Sequence, residues 1–280
     1  MLRLIVSLFL ALGLEISVAQ TAIPTVEITS LAPLHADLDR LLITYRNDGL
    51  RLSALMVKPT RAARPLPVLI ANHGFHPDPP HYGFVDPQRN ERPGKYYGGI
   101  PTAFARRGFA VIMADYRGHN TSEGHEFTRL SNAPDLYAAD VLALLKILPI
   151  IEGLLTDCVF VWGHSMGAHV SLRTILAHES IRAVSLWSLA SPVKDWSAIL
   201  DHTRQLPPIA IRHSIKDSVA PVTNSRHLEA HLRSRGLSHE TTFADSALHF
   251  FEGELFERVI EADSRFFAEQ SHATQCQNND

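Results

Sequence analysis

The stretch Gly163-His164-Ser165-Met166-Gly167 decides the fold of this chain, because of the two segments that flank it. The apolar segment 158–162 before it is typical of a buried strand, and the segment 168–177 after it has the composition of a helix. A serine between two glycines at a strand-to-helix turn is the sequence form of a nucleophile elbow. The turn is too tight for β-carbons at the glycine positions, and its strain points the serine hydroxyl outward. The pattern predicts that Ser165 is a reactive serine.

Apolar strands and helices alternate on both sides of this elbow. Short apolar or β-branched segments lie at 41–46, 50–57, 67–72, 109–114, 182–186, 209–212 and 239–243. Segments with helical spacing lie at 100–107, 134–148, 222–235 and 252–269. Strands that are apolar throughout and alternate with helices form parallel sheets covered on both faces. With a hairpin signal at Asn47-Asp48-Gly49, the pattern predicts an α/β fold whose eight-stranded, mostly parallel sheet places Ser165 after its fifth strand.

Two polar residues that could activate a serine nucleophile follow the last two predicted strands. A serine hydroxyl needs a base near neutral pH, and the base needs an acidic group to orient it. Asp217 follows the strand at 209–212, and His249 follows the strand at 239–243. Asp245 is an alternative acid, but it lies on the same loop as His249. We favour Asp217, because the end of a separate strand can hold a carboxylate rigidly across from the imidazole.

Two backbone N–H groups are needed to stabilise the negative charge that develops on the substrate carbonyl oxygen. One is expected from Met166, directly after the nucleophile, and the other from Phe75, on the loop after the strand at 67–72. Gly74 would let this backbone approach the serine closely. The alternative is that His73-Gly74 merely ends the strand in a simple turn.

A long loop at 75–99 is predicted to overhang the site and to contact substrate. Its candidate contact residues, which offer apolar rings and mostly polar tips, are His76, Tyr82, Phe84, Tyr96 and Tyr97. A further candidate, Trp196, lies in the segment 191–208, between the predicted strands at 182–186 and 209–212. This segment is short, so we expect a minimal lid and an open site for a small or polymer-attached ester.

The sequence predicts neither a cofactor nor a metal site. It contains no phosphate-binding loop and no dinucleotide-binding glycine pattern. His227 and His231 have a spacing that could hold a metal, but no third ligand is evident. His73, His76 and His81 are expected to line the pocket instead.

Two further pairs of residues are expected to be structural. Asp115 and Arg117 follow the strand at 109–114 and are predicted to tie loops together more than to bind substrate. The two cysteines are Cys158 in a predicted strand and Cys276 near the end of the chain. We expect a buried free thiol and a tail thiol over a disulfide, although an oxidising compartment leaves a bridge open.

The N-terminus has the pattern of a secretory signal peptide at 1–19. Arg3 gives a positive start, the apolar run at 4–14 is short for a transmembrane span, and Ser17-Val18-Ala19 offers small residues for cleavage. Cleavage would make the protein secreted or periplasmic, without a membrane span. The alternative is an uncleaved N-terminal anchor.

The remainder of the chain is predicted to contain one domain. We assign an N-terminal extension to 20–40, a catalytic domain to 41–268 and a polar tail to 269–280. The net charge of −3 at pH 7 gives no electrostatic reason to expect nucleic acid or an anionic membrane as a partner.

Four motifs together resemble a known family. The segments 72–75, 115–124, 163–167 and 213–221 are similar to the catalytic domain of the prolyl oligopeptidase family, whose relatives include acyl-aminoacyl-peptidase, dienelactone hydrolase and acetyl-xylan-type esterase domains. The resemblance covers roughly residues 40 to 265. It implies an α/β-hydrolase fold with a catalytic triad of Ser165, Asp217 and His249.

The chain also departs from that family. Asn120, Ala168 and Ser214 stand where glycine is common, and the chain has no room for the N-terminal propeller of the large peptidases. The three replaced glycines remove no catalytic group. The missing propeller weakens the interpretation of the chain as a peptidase. We therefore expect an exported serine hydrolase of carboxylic esters, such as acylated carbohydrate or aromatic esters. The alternatives are a serine peptidase acting on short peptides or acyl-amino acids, and a non-catalytic binding protein.

Overall fold

A computed structural model describes residues 26–63, 65–81, 97–192, 200, 205–273 and 276. The strands are β1 Glu27–His35, β2 Leu38–Asn47, β3 Leu50–Pro59, β4 Leu66–Asn72, β5 Ala110–Asp115, β6 Leu154–His164, β7 Ile181–Trp187, β8 Ile209–Ser214 and β9 His239–Ala244. The α-helices are α1 Gly99–Ala105, α2 Ala133–Ile147, α3 Met166–Ala177, α4 Val222–Ser234 and α5 Gly253–Ala273. The predicted signal peptide, Tyr82, Phe84, Tyr96 and Trp196 lie outside the described residues.

The strands form one sheet in the order β1-β2-β3-β5-β4-β6-β7-β8-β9. The first four strands of this order, β1, β2, β3 and β5, pair antiparallel with their neighbours. From β5 onward, through β4, β6, β7 and β8 to β9, each strand pairs parallel with the next. The predicted hairpin is confirmed, since Asn47 pairs with Leu50 and the two-residue turn between them has positive φ at Asp48 and Gly49. The predicted α/β-hydrolase fold, with a mostly parallel sheet, is likewise confirmed.

The predicted number of strands is wrong, because the described residues form a sheet of nine strands and not eight. The additional strand is β1, which lies in the segment 20–40 that we assigned to an extension. It is an edge strand that pairs only with β2, and most of its side chains are exposed, so it lacks the apolar pattern of the central strands. The elbow therefore follows the sixth strand, β6, and the last two strands are β8 and β9.

The sheet is buried on both faces, which explains why its central strands are apolar throughout. In β4, Val68 and Ile70 face the core beneath α2, α3 and α4, whereas Leu69 and Ala71 face the core beneath α1 and α5. This alternation follows from the two-residue period of a strand. None of the helices that the structure describes is long and apolar enough to cross a bilayer.

The expectation of two free cysteines is wrong, because Cys158 and Cys276 form a disulfide. Cys158 is buried midway along β6, and α5 continues past residue 268 and ends only at Ala273. The helix thus returns the end of the chain to the sheet, and Cys276 packs against the core on that face. The part of the segment 269–280 that the structure describes is accordingly attached to the domain.

Candidate active site

Ser165 stands between β6 and α3 in a backbone conformation that few non-glycine residues adopt, with φ 57° and ψ −120°. The surrounding main chain holds it there. Its N–H donates to the carbonyl of Trp187 at 2.9 Å, and its own carbonyl accepts the N–H of Ala168 at 3.1 Å. Two neighbouring segments therefore fix the strained turn that the pentapeptide predicts.

Both glycines of the elbow are required by close backbone contacts. A β-carbon on Gly167 would overlap the carbonyl of Asn72, the last residue of β4. A β-carbon on Gly163 would overlap the carbonyl of Gly167 and the hydroxyl of Ser171. The space that a side chain would need is filled by the main chain itself, so only glycine fits at either position.

Asp217 and His249 are joined directly. Nδ1 of His249 lies 2.7 Å from Oδ2 of Asp217, and Oδ1 of Asp217 accepts the N–H groups of Val219 and Ala220 at 2.8 and 3.0 Å. Burial alone would raise the pKa of Asp217, but hydrogen bonds from His213, His249 and these two N–H groups outweigh burial and hold the pKa well below its usual range. The carboxylate is thus ionised and fixed in place.

The alternative acid, Asp245, is turned to another partner. Its carboxylate pairs with Lys216 at 2.6 Å, and its side chain is 77% exposed. Main-chain hydrogen bonds from Ile215 to Ala244 and from Lys216 to Ser246, of 2.8 and 2.9 Å, hold the two loops together. These main-chain bonds keep the loop of Asp217 against the loop of His249, and the imidazole contacts Asp217.

His249 contacts the neighbour of Ser165 but is not hydrogen-bonded to Ser165 itself. His164, the neighbour of Ser165, has its ring centroid 4.6 Å from that of His249. No hydrogen bond joins the hydroxyl of Ser165 to the imidazole, although both residues are among those described. Catalytic hydrogen bonds are often long without substrate and shorten in the complex.

The segment carrying the N–H of Phe75 passes directly beside Ser165. A β-carbon on Gly74 would lie only 3.2 Å from Cβ of Ser165. Met166 is the first residue of α3, so its N–H belongs to the unpaired set at a helix N-terminus. Within the described residues neither N–H has a protein acceptor. Both are therefore available to a ligand oxygen.

The expectation that Tyr97 contacts substrate needs correction. Its side chain is 2% exposed, and its hydroxyl accepts the N–H of Gly74 at 2.9 Å and lies 2.5 Å from Nδ1 of His164. Tyr97 therefore lies beneath the site and supports its main chain. His76 is largely buried too, and its Nδ1 accepts the N–H of Asp78 at 2.9 Å, so this nitrogen holds the loop.

Sequence reasoning missed His213 as a neighbour of the acid. It is fully buried at the end of β8, and its Nε2 lies 3.0 Å from the carbonyl of Ala220 and 3.3 Å from Oδ2 of Asp217. Its Nδ1 lies 2.7 Å from the hydroxyl of Ser225. Because carbonyl and carboxylate oxygens accept hydrogen bonds, Nε2 carries a proton. The signal in the sequence was a histidine at the end of an otherwise mostly apolar strand, which indicates a buried polar contact.

The structural role expected for Arg117 is confirmed, since it forms a buried ion pair with Asp140 at 2.7 Å and also pairs with Asp48. Asp115 accepts a hydrogen bond from the side chain of Asn120 at 2.9 Å. Asn120 has φ 47°, a conformation that asparagine adopts more readily than most residues, which accounts for its presence at a position where glycine is common.

No group of three or more histidine, cysteine, aspartate or glutamate side chains could hold a metal ion in the part of the chain that the structure describes.

A family model described as serine aminopeptidase, S33 (Hydrolase_4) matches residues 89–240, which is just over half of the chain. This span includes the elbow and Asp217. A search of curated protein sequences finds no significant match.

Solved structures with the same fold include esterases and peptidases. An acetyl xylan esterase from Paenibacillus sp. R4 is 15% identical, with a TM-score of 0.66 over 88% of this chain and 89% of that chain. Est1E from Butyrivibrio proteoclasticus, solved with ferulic acid bound, is 19% identical, with a TM-score of 0.65 over 82% and 99%. The acylaminoacyl peptidase of Pyrococcus horikoshii is 14% identical, with a TM-score of 0.66 over 84% and 42%. At these identities the likeness is one of fold.

Proposed function

The chain belongs to the serine aminopeptidase S33 family of α/β-hydrolases and is a serine hydrolase, and we propose that it cleaves carboxylic esters with Ser165, His249 and Asp217 as its catalytic triad. The observation that carries this proposal is the 2.7 Å contact between Nδ1 of His249 and Oδ2 of Asp217, beside a serine held at positive φ. Because Nδ1 donates to the carboxylate, Nε2 is the ring nitrogen that can take a proton.

In the first half of the proposed reaction, Oγ of Ser165 attacks the ester carbonyl carbon while its proton passes to Nε2 of His249. The resulting oxyanion accepts hydrogen bonds from the N–H groups of Phe75 and Met166. The C–O bond to the alcohol then breaks, and His249 returns the proton to the leaving oxygen. The products are an acyl-serine and a free alcohol.

In the second half, water attacks the acyl-serine and gives its proton to His249. The tetrahedral intermediate collapses with release of the carboxylic acid, and the proton returns to Oγ of Ser165. Throughout the cycle, the ionised Asp217 stabilises the imidazolium and holds it in one orientation. No other reactant is needed, so the atoms balance with one water consumed per ester.

Exposed apolar side chains around the site support a substrate with an apolar acyl group. Phe75 and Val219 are 62% and 69% exposed, and Leu248 is also exposed. Each comes from a different loop of the site: the one with the proposed oxyanion donor, the one with the acid and the one with the base. Large apolar side chains left in water at a site are typical of ligand-binding surfaces. Aromatic or short aliphatic acyl esters, free or carried on carbohydrate, fit this surface.

A peptidase acting on short peptides or acyl-amino acids is the second candidate, favoured by the description of the family model. An aminopeptidase must bind the substrate ammonium, which calls for a free carboxylate. Three described carboxylates on the loops beside the site have partners, since Asp217 bonds His249, Asp245 pairs with Lys216 and Asp78 pairs with His81. These pairs support the ester.

Two experiments test the proposal. A fluorophosphonate probe should label Ser165, and Ser165→Ala should abolish labelling and turnover while circular dichroism remains unchanged. A folded wild-type protein that neither labels nor turns over substrate would favour a non-catalytic binding protein. Rates on matched p-nitrophenyl esters and p-nitroanilides of the same acyl and aminoacyl groups separate the two activities. An anilide rate equal to the ester rate would overturn the esterase in favour of the peptidase.

We also propose that residues 1–19 direct export. The Cys158–Cys276 disulfide supports this, because disulfides persist in oxidising compartments. Mass spectrometry of the protein expressed with its native N-terminus should find a mature chain that begins at Gln20. A chain that retains residues 1–19 would contradict cleavage.

A further inference from the structure

Tyr97 and His164 connect the two loops on which the proposed chemistry depends. The hydroxyl of Tyr97 accepts the N–H of Gly74 at 2.9 Å and lies 2.5 Å from Nδ1 of His164. On the other side of the ring, Nε2 of His164 lies 2.8 Å from the carbonyl oxygen of His249. A continuous series of hydrogen bonds, here named the Tyr97–His164 bridge, thus runs from the oxyanion segment to the base.

The direction of each hydrogen bond in the bridge follows from the atoms involved. The carbonyl oxygen of His249 can only accept, so Nε2 of His164 carries a proton. Burial, followed by the proximity of His249, lowers the pKa of His164 to about 3, so the ring is neutral and Nδ1 is an acceptor. Tyr97 therefore donates its hydroxyl proton to Nδ1 and accepts from Gly74. Every donor in the bridge meets one acceptor.

The bridge is buried and tightly packed. Tyr97 and His164 are each 2% exposed, and the Tyr97 ring lies against Trp162 and Phe250, with centroids 6.2 and 5.4 Å away. A β-carbon on Gly74 would lie 2.5 Å from the Tyr97 hydroxyl, so the hydroxyl sits directly under the oxyanion segment. A polar pair buried among aromatic rings costs free energy unless each group is bonded, which ties its geometry to these partners.

We infer that Tyr97 and His164 are positioning residues that hold the N–H of Phe75 and the backbone of His249 at a fixed separation on either side of Ser165. This inference rests on the proposed function. Gly74 is the residue directly before the proposed oxyanion donor, and it is the residue whose N–H the bridge binds. The carbonyl of His249 is held at the same time by the hydroxyl of Ser188 at 2.7 Å. Neither bridge side chain touches substrate.

The test compares Tyr97→Phe with the matched control Tyr45→Phe. Tyr45 is also buried and its hydroxyl also donates a hydrogen bond, to the carbonyl of Asp140 at 3.2 Å, but it lies on β2 outside the site. Loss of the bridge should lower kcat and kcat/KM by about the same factor, tenfold or more, because it misplaces a donor that acts in the transition state. The affinity for phenylboronic acid, which forms a tetrahedral serine adduct, should fall by that factor too.

A second variant keeps the inference testable if Tyr97→Phe fails to fold. His164→Asn retains an acceptor near the position of Nδ1 but loses the donor to the carbonyl of His249. It should also lower kcat when both proteins are assayed at a temperature at which the variant stays folded. In a double-mutant cycle, the combined variant should lose little more than the worse single variant, because both interrupt one connected unit.

The outcomes separate the inference from the proposed function. If the wild-type protein labels with fluorophosphonate and Tyr97→Phe matches it in kcat and boronate affinity, the bridge is overturned and the proposed function stands. Additive losses in the double variant, or equal losses in Tyr45→Phe, would also overturn the bridge. If the wild-type protein neither labels nor turns over any ester, the proposed function fails and the bridge fails with it.

Discussion

Oδ2 of Asp217 lies 2.7 Å from Nδ1 of His249, although the two residues belong to loops that follow different strands. The other carboxylate oxygen accepts two main-chain N–H groups from its own loop. Main-chain hydrogen bonds between the β8 and β9 loops then fix the distance between acid and base. The acid is thus oriented by backbone contacts, which side-chain motions elsewhere disturb little.

Asp217→Asn should lower kcat by about ten thousandfold, because an amide cannot hold the imidazole in the productive tautomer. The control is Asp245→Asn, which removes the competing carboxylate and its exposed ion pair with Lys216. We expect its kcat to stay within about twofold of wild type, since exposed ion pairs contribute little. Steady-state kinetics on one p-nitrophenyl ester compares the two variants. A larger loss in Asp245→Asn would reassign the orienting acid.

Three buried histidines should make the protein less stable in acid. His73, His119 and His164 are at most 2% exposed, and burial lowers the pKa of His73 well below its usual range, of His119 to about 4 and of His164 to about 3. These histidines bind protons more tightly in the unfolded chain, where the pKa of histidine is about 6.5. The stability they contribute is complete above that pH and is lost as the pH falls toward 4.

The free energy of unfolding should therefore decline by about 1.4 kcal/mol per pH unit for each such group between pH 6 and 4.5. Urea unfolding at several pH values measures this slope. His119→Asn, which can still donate to the carbonyl of Arg117, should remove about one group's share. A flat profile in wild type would show that these histidines do not govern acid stability.

The elbow was predictable from sequence because its steric requirement is local. The main chain itself fills the space beside Gly163 and Gly167, so only glycine fits at these positions. Two glycines at this spacing between a strand and a helix therefore predict the turn. The proximity of Asp217 and His249 was also predictable, because each follows a strand and the carboxyl ends of parallel strands meet at one edge of the sheet.

Features that depend on distant segments were not predictable in this way. The side chain of Tyr97, an apolar ring with a polar tip, is of the kind that contacts substrates. Only the packing of His164 and Phe250 around it places it beneath the site. Cys276 lies in a polar stretch, and the path of α5 decides which residue it meets. The strand β1 gains its structure from pairing with β2 rather than from its own apolar pattern.

Gly167→Ala should destabilise the fold and reduce activity together. The added β-carbon would overlap the carbonyl of Asn72, so the elbow or β4 must shift, at a cost of about 1–3 kcal/mol. Gly99→Ala is the control, since Gly99 lies in α1 and its β-carbon would meet only the ring of Phe256 at 3.4 Å. That change should be neutral or stabilise the helix by up to about 1 kcal/mol. Melting midpoints and ester rates of both variants provide the comparison, and a stable, active Gly167→Ala would contradict the steric account.

The Cys158–Cys276 disulfide should stabilise the protein without affecting catalysis. It links residues 118 positions apart, and closing a loop of this length lowers the entropy of the unfolded chain enough to contribute up to about 5 kcal/mol. Cys158 lies six residues before the end of β6, so the bond is roughly 20 Å along the strand from the elbow. Dithiothreitol should therefore lower the free energy of unfolding by about 2–5 kcal/mol while kcat at 25 °C stays unchanged.

The double variant Cys158→Ser, Cys276→Ser separates the bond from other effects of the reductant. It should unfold at the urea concentration of the reduced wild-type protein, and dithiothreitol should not shift it further. Equal stability of the oxidised, reduced and double-variant proteins would mean that α5 is held to the sheet by its apolar contacts alone. Loss of ester hydrolysis on reduction, at temperatures where the protein stays folded, would instead show that the disulfide at Cys158 affects the position of Ser165, directly after β6.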